Sequence, residues 1–174
     1  MTMNTTWGYS EHDQAWKSTE TLIRKLCDIV GKGGNLLLNI GPKGDGSVPP
    51  ESVATLRGMG DSMKVNGEAI YGITANPFGR DFEWGTSTLI NLPDGKSQLF
   101  LHVFDWLASG SLSVPGLTSV PAKAFLLGDK RVLEAKATSD AVELPVPSEA
   151  PDPTATVIVL EFAEQPIIHK SSKN

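Results

Sequence analysis

The chain has 174 residues, of which 40% are hydrophobic and 20% charged, the balance of one ordinary globular domain or two small ones. Its net charge of -5 is spread along the sequence, which excludes a basic nucleic-acid-binding face and points to neutral or small partners. No apolar run reaches the roughly 18 residues that a membrane-spanning helix needs, and a lone cysteine, Cys27, excludes an internal disulfide.

The first ten residues, MTMNTTWGYS, carry neither a basic n-region nor a long apolar core, so they are not a signal peptide and read as the interior of a domain. Met1–Trp7 is expected to be a strand. Asn4-Thr5-Thr6 matches the glycosylation pattern, a short motif that arises often by chance. Ser10 or Asp13 is positioned to cap a short helix containing Trp16. Leu22, Ile23, Leu26, Ile29 and Val30 then recur with the spacing of one helix face, which predicts an amphipathic helix over 17–30. Ser18 is its N-cap and Glu20 sits in the first turn, where the macrodipole favours an acid. Cys27 falls on the apolar face and is expected to be buried and inert. Gly31, Gly33 and Gly34 end the helix.

Between those glycines and the loop Gly41–Pro50 lies Leu36-Leu37-Leu38-Asn39-Ile40, too short for a helix. A strand without alternation is buried on both faces, the habit of parallel sheets covered by helices. A second helix is predicted over 50–65, with proline at its start and Val53, Leu56, Met59 and Met63 as its inner stripe. Strand, helix, strand, helix makes a parallel α/β unit with a right-handed crossover. Ligands of such folds bind at the carboxyl ends of the strands.

From Ile73 onward the texture changes to short apolar runs broken by proline and glycine. STLINLPDGKSQLFLHVFDWL reads as a hairpin turning at Pro93-Asp94-Gly95. AKAFLLG, RVLEAKA, AVELPV and TATVIVLEF follow as further strands, with Pro145–Pro153 as a connecting loop. This half is expected to form an antiparallel β-sandwich over 74–168, packed on the second helix, with a polar tail over 169–174. The fold class expected is therefore α/β followed by all-β.

Few residues carry recognisable chemistry. The segment around Lys43 lacks the order of a phosphate-binding loop, and Gly44-Asp45-Gly46 reads as a tight turn with Asp45 bonding its own backbone. His12, His102 and His169 have no ligand-like spacing, so no metal or other cofactor is expected. Trp7 and Tyr9 are different. They stand at the carboxyl end of the first expected strand, on the same rim as the loop after Ile40, where an aromatic face suits the C–H surface of a sugar. Core filling is the other fate open to them. Trp84 and Trp106 alternate with apolar neighbours and read as core, although exposed they would suit a carbohydrate-binding module.

TWGYSEHDQAWKS, and then LIRKLCDIVGKGGNLLLNIGPKGDGSVPPESVATLRGMGDSMKVNGEAIYG, resemble the end of the catalytic barrel of family 29 α-L-fucosidases. The runs Lys32–Pro42 and Asn66–Gly72 carry most of the specificity. Gly31 stands where that family commonly has serine, and Met63 where leucine or tryptophan is expected. The resemblance implies the C-terminal portion of a (β/α)8-like barrel over 1–73, followed by the β-sandwich. It also implies a retaining exo-glycosidase that uses an aspartate nucleophile and a carboxylic acid/base on a fucosylated glycan or small fucoside. Trp7 matches an aromatic that walls the pocket of the fucose C5 methyl, with Tyr9 its weaker neighbour. The family's catalytic carboxylates precede this tryptophan, so the resemblance assigns no catalytic residue to this sequence and implies that the chain alone is inactive. An open α/β edge of this kind is expected to self-associate.

Overall fold

A computed structural model of the chain describes residues 1–169; the tail expected over 169–174 lies outside them but for His169. Helix α1 spans Thr19–Gly31, and Ser18 caps it by accepting from the Thr21 amide at 3.1 Å, with Glu20 in the first turn as expected. At the other end Gly33 takes φ +76, and the Gly33 and Gly34 amides return to Val30 and Ile29 at 2.9 Å each. This is the left-handed cap that glycine adopts without a Cβ penalty. Helix α2 spans Pro50–Asn66 with proline in its first turn, and a 3-10 turn, Gly67–Ala69, follows.

The expected parallel strands are present only as a vestige. Thr2 forms a single parallel bridge with Asn39; the Met3 amide donates to the Asn39 carbonyl at 3.1 Å, and the Asn39 amide to Met1 at 2.9 Å. The direction is the one expected, but the burial is not: Leu37 is 74% exposed. A strand becomes buried on two faces only when neighbours flank it and helices cover it, and among the described residues only Met1–Met3 pairs with this segment. The inner stripe of α2 holds at Val53, Met59 and Met63, which are half-buried, and fails at Leu56. Leu56 faces out, while Ser52 and Asn66 are buried and Thr55, Met59 and Ser62 are half-buried. Small residues win this face because α1 approaches closely, leaving Gly58 against the Thr19 side chain.

Among the described residues eight strands form two antiparallel sheets. The first has the order β1 (Gly85–Asn91), β2 (Ser97–Val103), β8 (Thr156–Phe162), β4 (Lys123–Leu126), β5 (Val132–Leu133). The second has the order β3 (Ser111–Pro115), β7 (Ala141–Pro145), β6 (Lys136–Ala137). The β1–β2 hairpin turns where expected, with Gly95 at φ +83. Strand β3 was not legible as a strand, and the run RVLEAKA divides between the two sheets as β5 and β6. Leu99, Leu101, Leu112, Leu144, Ile158 and Leu160 fill the space between the sheets. Phe100, Phe125, Val157 and Val159 face the other way, towards Ala69 and Ile73. The five-stranded sheet is thus buried on both sides at its centre, which is why β2 and β8 read as continuous apolar runs.

The sheets rest mainly on α1, correcting the expectation that α2 would carry them. Cys27 and Ile23 meet Ala155, and burial pushes the Cys27 thiol up to about 12. The Arg24 guanidinium donates to the carbonyls of Phe104, Pro153 and Thr154 at 2.8–3.3 Å. Gly31 lies against β1, where a Cβ would sit 2.7 Å from Thr86 Oγ1 and 3.3 Å from the Ser87 carbonyl. Gly31→Ser is therefore expected to cost about 1–3 kcal/mol through overpacking. Adding Thr86→Ala should recover most of that loss in a double-mutant cycle followed by urea denaturation.

Candidate functional site

The Trp7–Tyr9 segment is held in place from three sides. Behind it, the Lys17 amide donates to the Met3 carbonyl at 2.8 Å and Lys17 Nζ to the Asn4 carbonyl at 2.5 Å. Asn4 itself is buried, so the glycosylation pattern there offers no accessible side chain. Below, one oxygen of Asp13 accepts from the amides and hydroxyls of Thr5 and Thr6 at 2.6–3.0 Å, and the other accepts from the Ala15 amide at 3.1 Å. These donors hold the Asp13 carboxyl well below its usual range. No helix forms around Trp16. Asp13 anchors the loop instead of capping one, because four donors from Thr5 and Thr6 outcompete a single helix-end amide.

On the third side stands the loop after Ile40. The Asn39 side-chain amide donates to the Trp7 carbonyl. Gly41, at φ +54, lies against the backbone of Trp7, Gly8 and Tyr9, its Cβ direction 3.6–3.7 Å from their atoms. Lys43 Nζ lies 5.5 Å from the centroid of the Tyr9 ring, a cation–π arrangement. Its loop is closed by Asp45, which accepts from the Ser47 amide at 2.9 Å and hydroxyl at 2.7 Å, as the sequence predicts, and is held low by them. Both expected residues thus stand on one rim with Asn39, Gly41 and Lys43. Trp7 is 63% and Tyr9 39% exposed, so neither fills a core among the described residues. Sequence reasoning missed Asn39 and Lys43, whose only signal was their place at the carboxyl end of a strand.

The rim offers aromatic surface and a cation but no paired acid and base. Glu11 faces His12 at 3.7 Å in open solvent, Glu51 lies in the first turn of α2, and Asp13 and Asp45 are engaged as above. Every carboxyl displaced from its ordinary range, namely Asp13, Asp28, Asp45, Asp61 and Asp94, is displaced downward. His12 and His102 lie in separate surroundings, and no group of three or more His, Cys, Asp and Glu residues comes together among the described residues. Trp84 is buried and Trp106 half-buried, their indoles donating to the Ser113 and Pro147 carbonyls at 2.9 and 2.8 Å. Both are packing residues, not a sugar platform.

Residues 1–68 match the sequence model of the family described as alpha-L-fucosidase. The tissue alpha-L-fucosidase of Homo sapiens is 33% identical over 127 residues, covering 70% of this chain and 26% of the human protein. Among solved structures, alpha-L-fucosidase isoenzyme 1 from Paenibacillus thiaminolyticus superposes with a TM-score of 0.81 at 32% identity. That match covers 92% of this chain and 38% of the other. A family 29 alpha-L-fucosidase from Bacteroides thetaiotaomicron, trapped as a covalent intermediate with 2-fluoro-fucosyl fluoride, gives 0.79 at 26% identity, over 92% and 36% of the two chains. The chain spans about a quarter of the human relative's length and little more than a third of either solved chain. The match runs through the rim segment, both helices and both sheets: residues 1–68 belong to a segment of the α-L-fucosidase family, and nearly the whole chain shares the fold of part of that family's solved members.

Proposed function

We propose that this chain is the C-terminal portion of a retaining α-L-fucosidase, with residues 1–73 closing a catalytic (β/α)8-like barrel and 74–168 forming its β-sandwich domain. The observation that carries this reading is the rim. An exposed tryptophan and a tyrosine are fixed at the carboxyl end of a parallel pair by Asn39, Gly41 and Asp13, inside the segment that matches the family. Trp7 supplies an apolar wall for the C5 methyl of fucose, and Tyr9, with Lys43 at its ring, borders the same pocket. Retention at the anomeric carbon needs two carboxyl groups about 5–5.5 Å apart, one ionised and one protonated. Of the rim acids, Asp13 and Asp45 are engaged by donors of their own loops, and the family resemblance gives none of them a catalytic position, so the chain contributes substrate binding and not the catalytic pair. The trapped intermediate of the Bacteroides relative supports the retaining route.

The test compares the chain alone with a chimera in which it replaces the matching part of the Paenibacillus enzyme. With an activated aryl α-L-fucoside the chain alone is expected to give no turnover, and the chimera is expected to be active. In the chimera, Trp7→Ala should raise KM about tenfold, with a smaller effect on kcat, because the methyl and ring contacts are made in ground and transition states alike. Turnover by the chain alone that disappears on changing Glu11 or Asp45 would overturn the assignment. Unchanged kinetics for Trp7→Ala would remove Trp7 from the pocket.

A further inference from the structure

Beyond the end of α2 the chain runs through Asn66-Gly67-Glu68-Ala69-Ile70-Tyr71-Gly72, a run as distinctive as the rim segment but remote from it. Tyr71 is 69% exposed. One side of its ring, Cδ2–Cε2, rests on Gly67, where a Cβ would come within 3.2–3.3 Å. Gly67 therefore lets the ring stand against the helix end with the rest of its surface open. The ring borders a cavity of about 550 Å³, which Met63, Val65 and Leu127 also line. Opposite lies an ion pair, Glu68 with Lys130 at 3.2 Å, both side chains more than half exposed.

Two further features mark this groove. Lys64, on its border, is neutralised by Asp61 at 2.7 Å, so the charges around the cavity cancel and neither an anion nor a cation is favoured. Lys130 is also the one non-glycine residue with positive φ among the described residues, at +58. It stands in the β4–β5 turn, where glycine or asparagine would be held at less cost. Its ammonium meets Glu68 and lies 5.4 Å from the Phe125 ring centroid.

We propose that this groove is a binding site for a neutral pyranose, the Tyr71 ring packing on its C–H face while adjacent hydroxyls donate to Glu68 and accept from Lys130. An aromatic surface beside a carboxylate–ammonium pair meets the two needs of such a ligand, an apolar face and hydroxyls that both donate and accept. The site is separate from the rim. The 17 residues of α2 place it about 25 Å along the helix from the loop that holds Lys43.

The chain has two tyrosines, so their ring signals in an NMR titration separate the two places, Tyr9 reporting the rim and Tyr71 the groove. With methyl β-D-galactopyranoside as the probe, Tyr71 is expected to shift saturably with a Kd of about 1–10 mM, the strength of a single-ring contact. Tyr71→Ala should abolish binding as read from the backbone amides of Gly67 and Gly72. Glu68→Gln should weaken it at least about threefold. Lys130→Gly should weaken it similarly without lowering the thermal midpoint, the signature of a residue strained for binding. Absence of a saturable shift at Tyr71 up to about 100 mM sugar would overturn the proposal. So would Lys130→Gly binding with unchanged affinity, or Tyr71 signals that depend on protein concentration without sugar and so mark a self-association surface. None of these outcomes depends on whether the rim binds a fucoside.

Discussion

Gly85→Ala is expected to destabilise the chain by about 4 kcal/mol or more, a large part of the roughly 5–15 kcal/mol that holds a domain of this size together. Gly85 opens β1 at φ +150, paired with Val103 of the neighbouring strand β2. A Cβ there would lie 2.0 Å from the His102 carbonyl oxygen and 3.3 Å from the Phe104 amide nitrogen. Both obstacles are backbone, so no rotamer change relieves them, and the backbone conformation itself is one that an L side chain rarely adopts. Relief requires β1 to draw away from β2. That would break the bonds of the Phe104 and Asp105 amides to the Trp84 carbonyl, at 2.7 and 3.2 Å. It would also disturb the stack of Phe82 on Trp84, whose rings lie 4.5 Å apart. The measurement is a urea transition followed by tryptophan fluorescence, with a fall in midpoint at constant slope. Gly60→Ala is the control of opposite sign. It lies inside α2 with open space around its Cβ direction, and alanine should stabilise the helix there by about 0.5–1 kcal/mol. A loss below about 1 kcal/mol for Gly85→Ala would mean that the two strands do not approach this closely.

Position 85 also shows where sequence reading stops. The glycines after α1 could be read as a helix stop because their effect is local: a chain leaving a helix meets the same steric choice in any fold. The same holds for Ser18 as a cap, for Asp45 in its turn and for the Pro93–Gly95 hairpin. Gly85 gave no signal, since the reason for it is a strand 17 residues later. The face of α2 was legible at Val53, Met59 and Met63 but not at Leu56, for a related cause: the contact with α1 at Gly58 and Thr19 favours small side chains, which only the packed pair of helices reveals. Strand β3, Ser111–Pro115, was hidden by its serines and proline, which suit a strand whose outer face is wet. Leu36–Ile40 reads as a buried strand from its composition alone, but its single parallel bridge among the described residues leaves Leu37 exposed. At the rim, strand-end logic was enough to bring Trp7 and Tyr9 beside the loop after Ile40. It could not supply Asn39, Lys43 or the hold of Asp13 on Thr5 and Thr6, because those contacts depend on how an irregular segment folds back on itself.

The chain is also expected to lose about 3 kcal/mol of stability as pH falls from about 6.5 to 4, and a single residue on β2 accounts for it. His102 is fully buried. Thr88 Oγ1 lies 3.0 Å from His102 Nε2 and donates its one proton to the Ala69 carbonyl at 2.8 Å, so it can only accept from the ring. The imidazole therefore carries its proton on Nε2, and Nδ1 is left as a buried acceptor without a partner. The gap beside it is lined from α1 by Ile23, Leu26 and Cys27, from α2 by Ser62, Met63 and Asn66, and from the chain beyond by Ile70, Ala155 and Val157. No carboxylate is among them, and the Cys27 thiol stays neutral, so only the nearby Ala69 carbonyl offsets the burial of a charge on the ring. Burial accordingly pulls the pKa of His102 from 6.5 down to about 4. The unfolded chain takes up this proton below pH 6.5, whereas the folded chain resists it until about pH 4. Stability is thus present in full above the higher value and falls steadily between the two. The carboxylates of Asp13, Asp28, Asp45, Asp61 and Asp94 are shifted downward from 3.8, so their contributions persist above that value and fade only below it. The window from pH 6.5 to 4.5 therefore isolates His102 from them. His102→Gln keeps a donor for Thr88 and removes the titration, and its urea midpoint should be nearly flat across that window while the wild-type midpoint falls. A wild-type midpoint independent of pH there would show that the ring reaches solvent or a counter-charge. Equal slopes in the two proteins would assign the effect to another group.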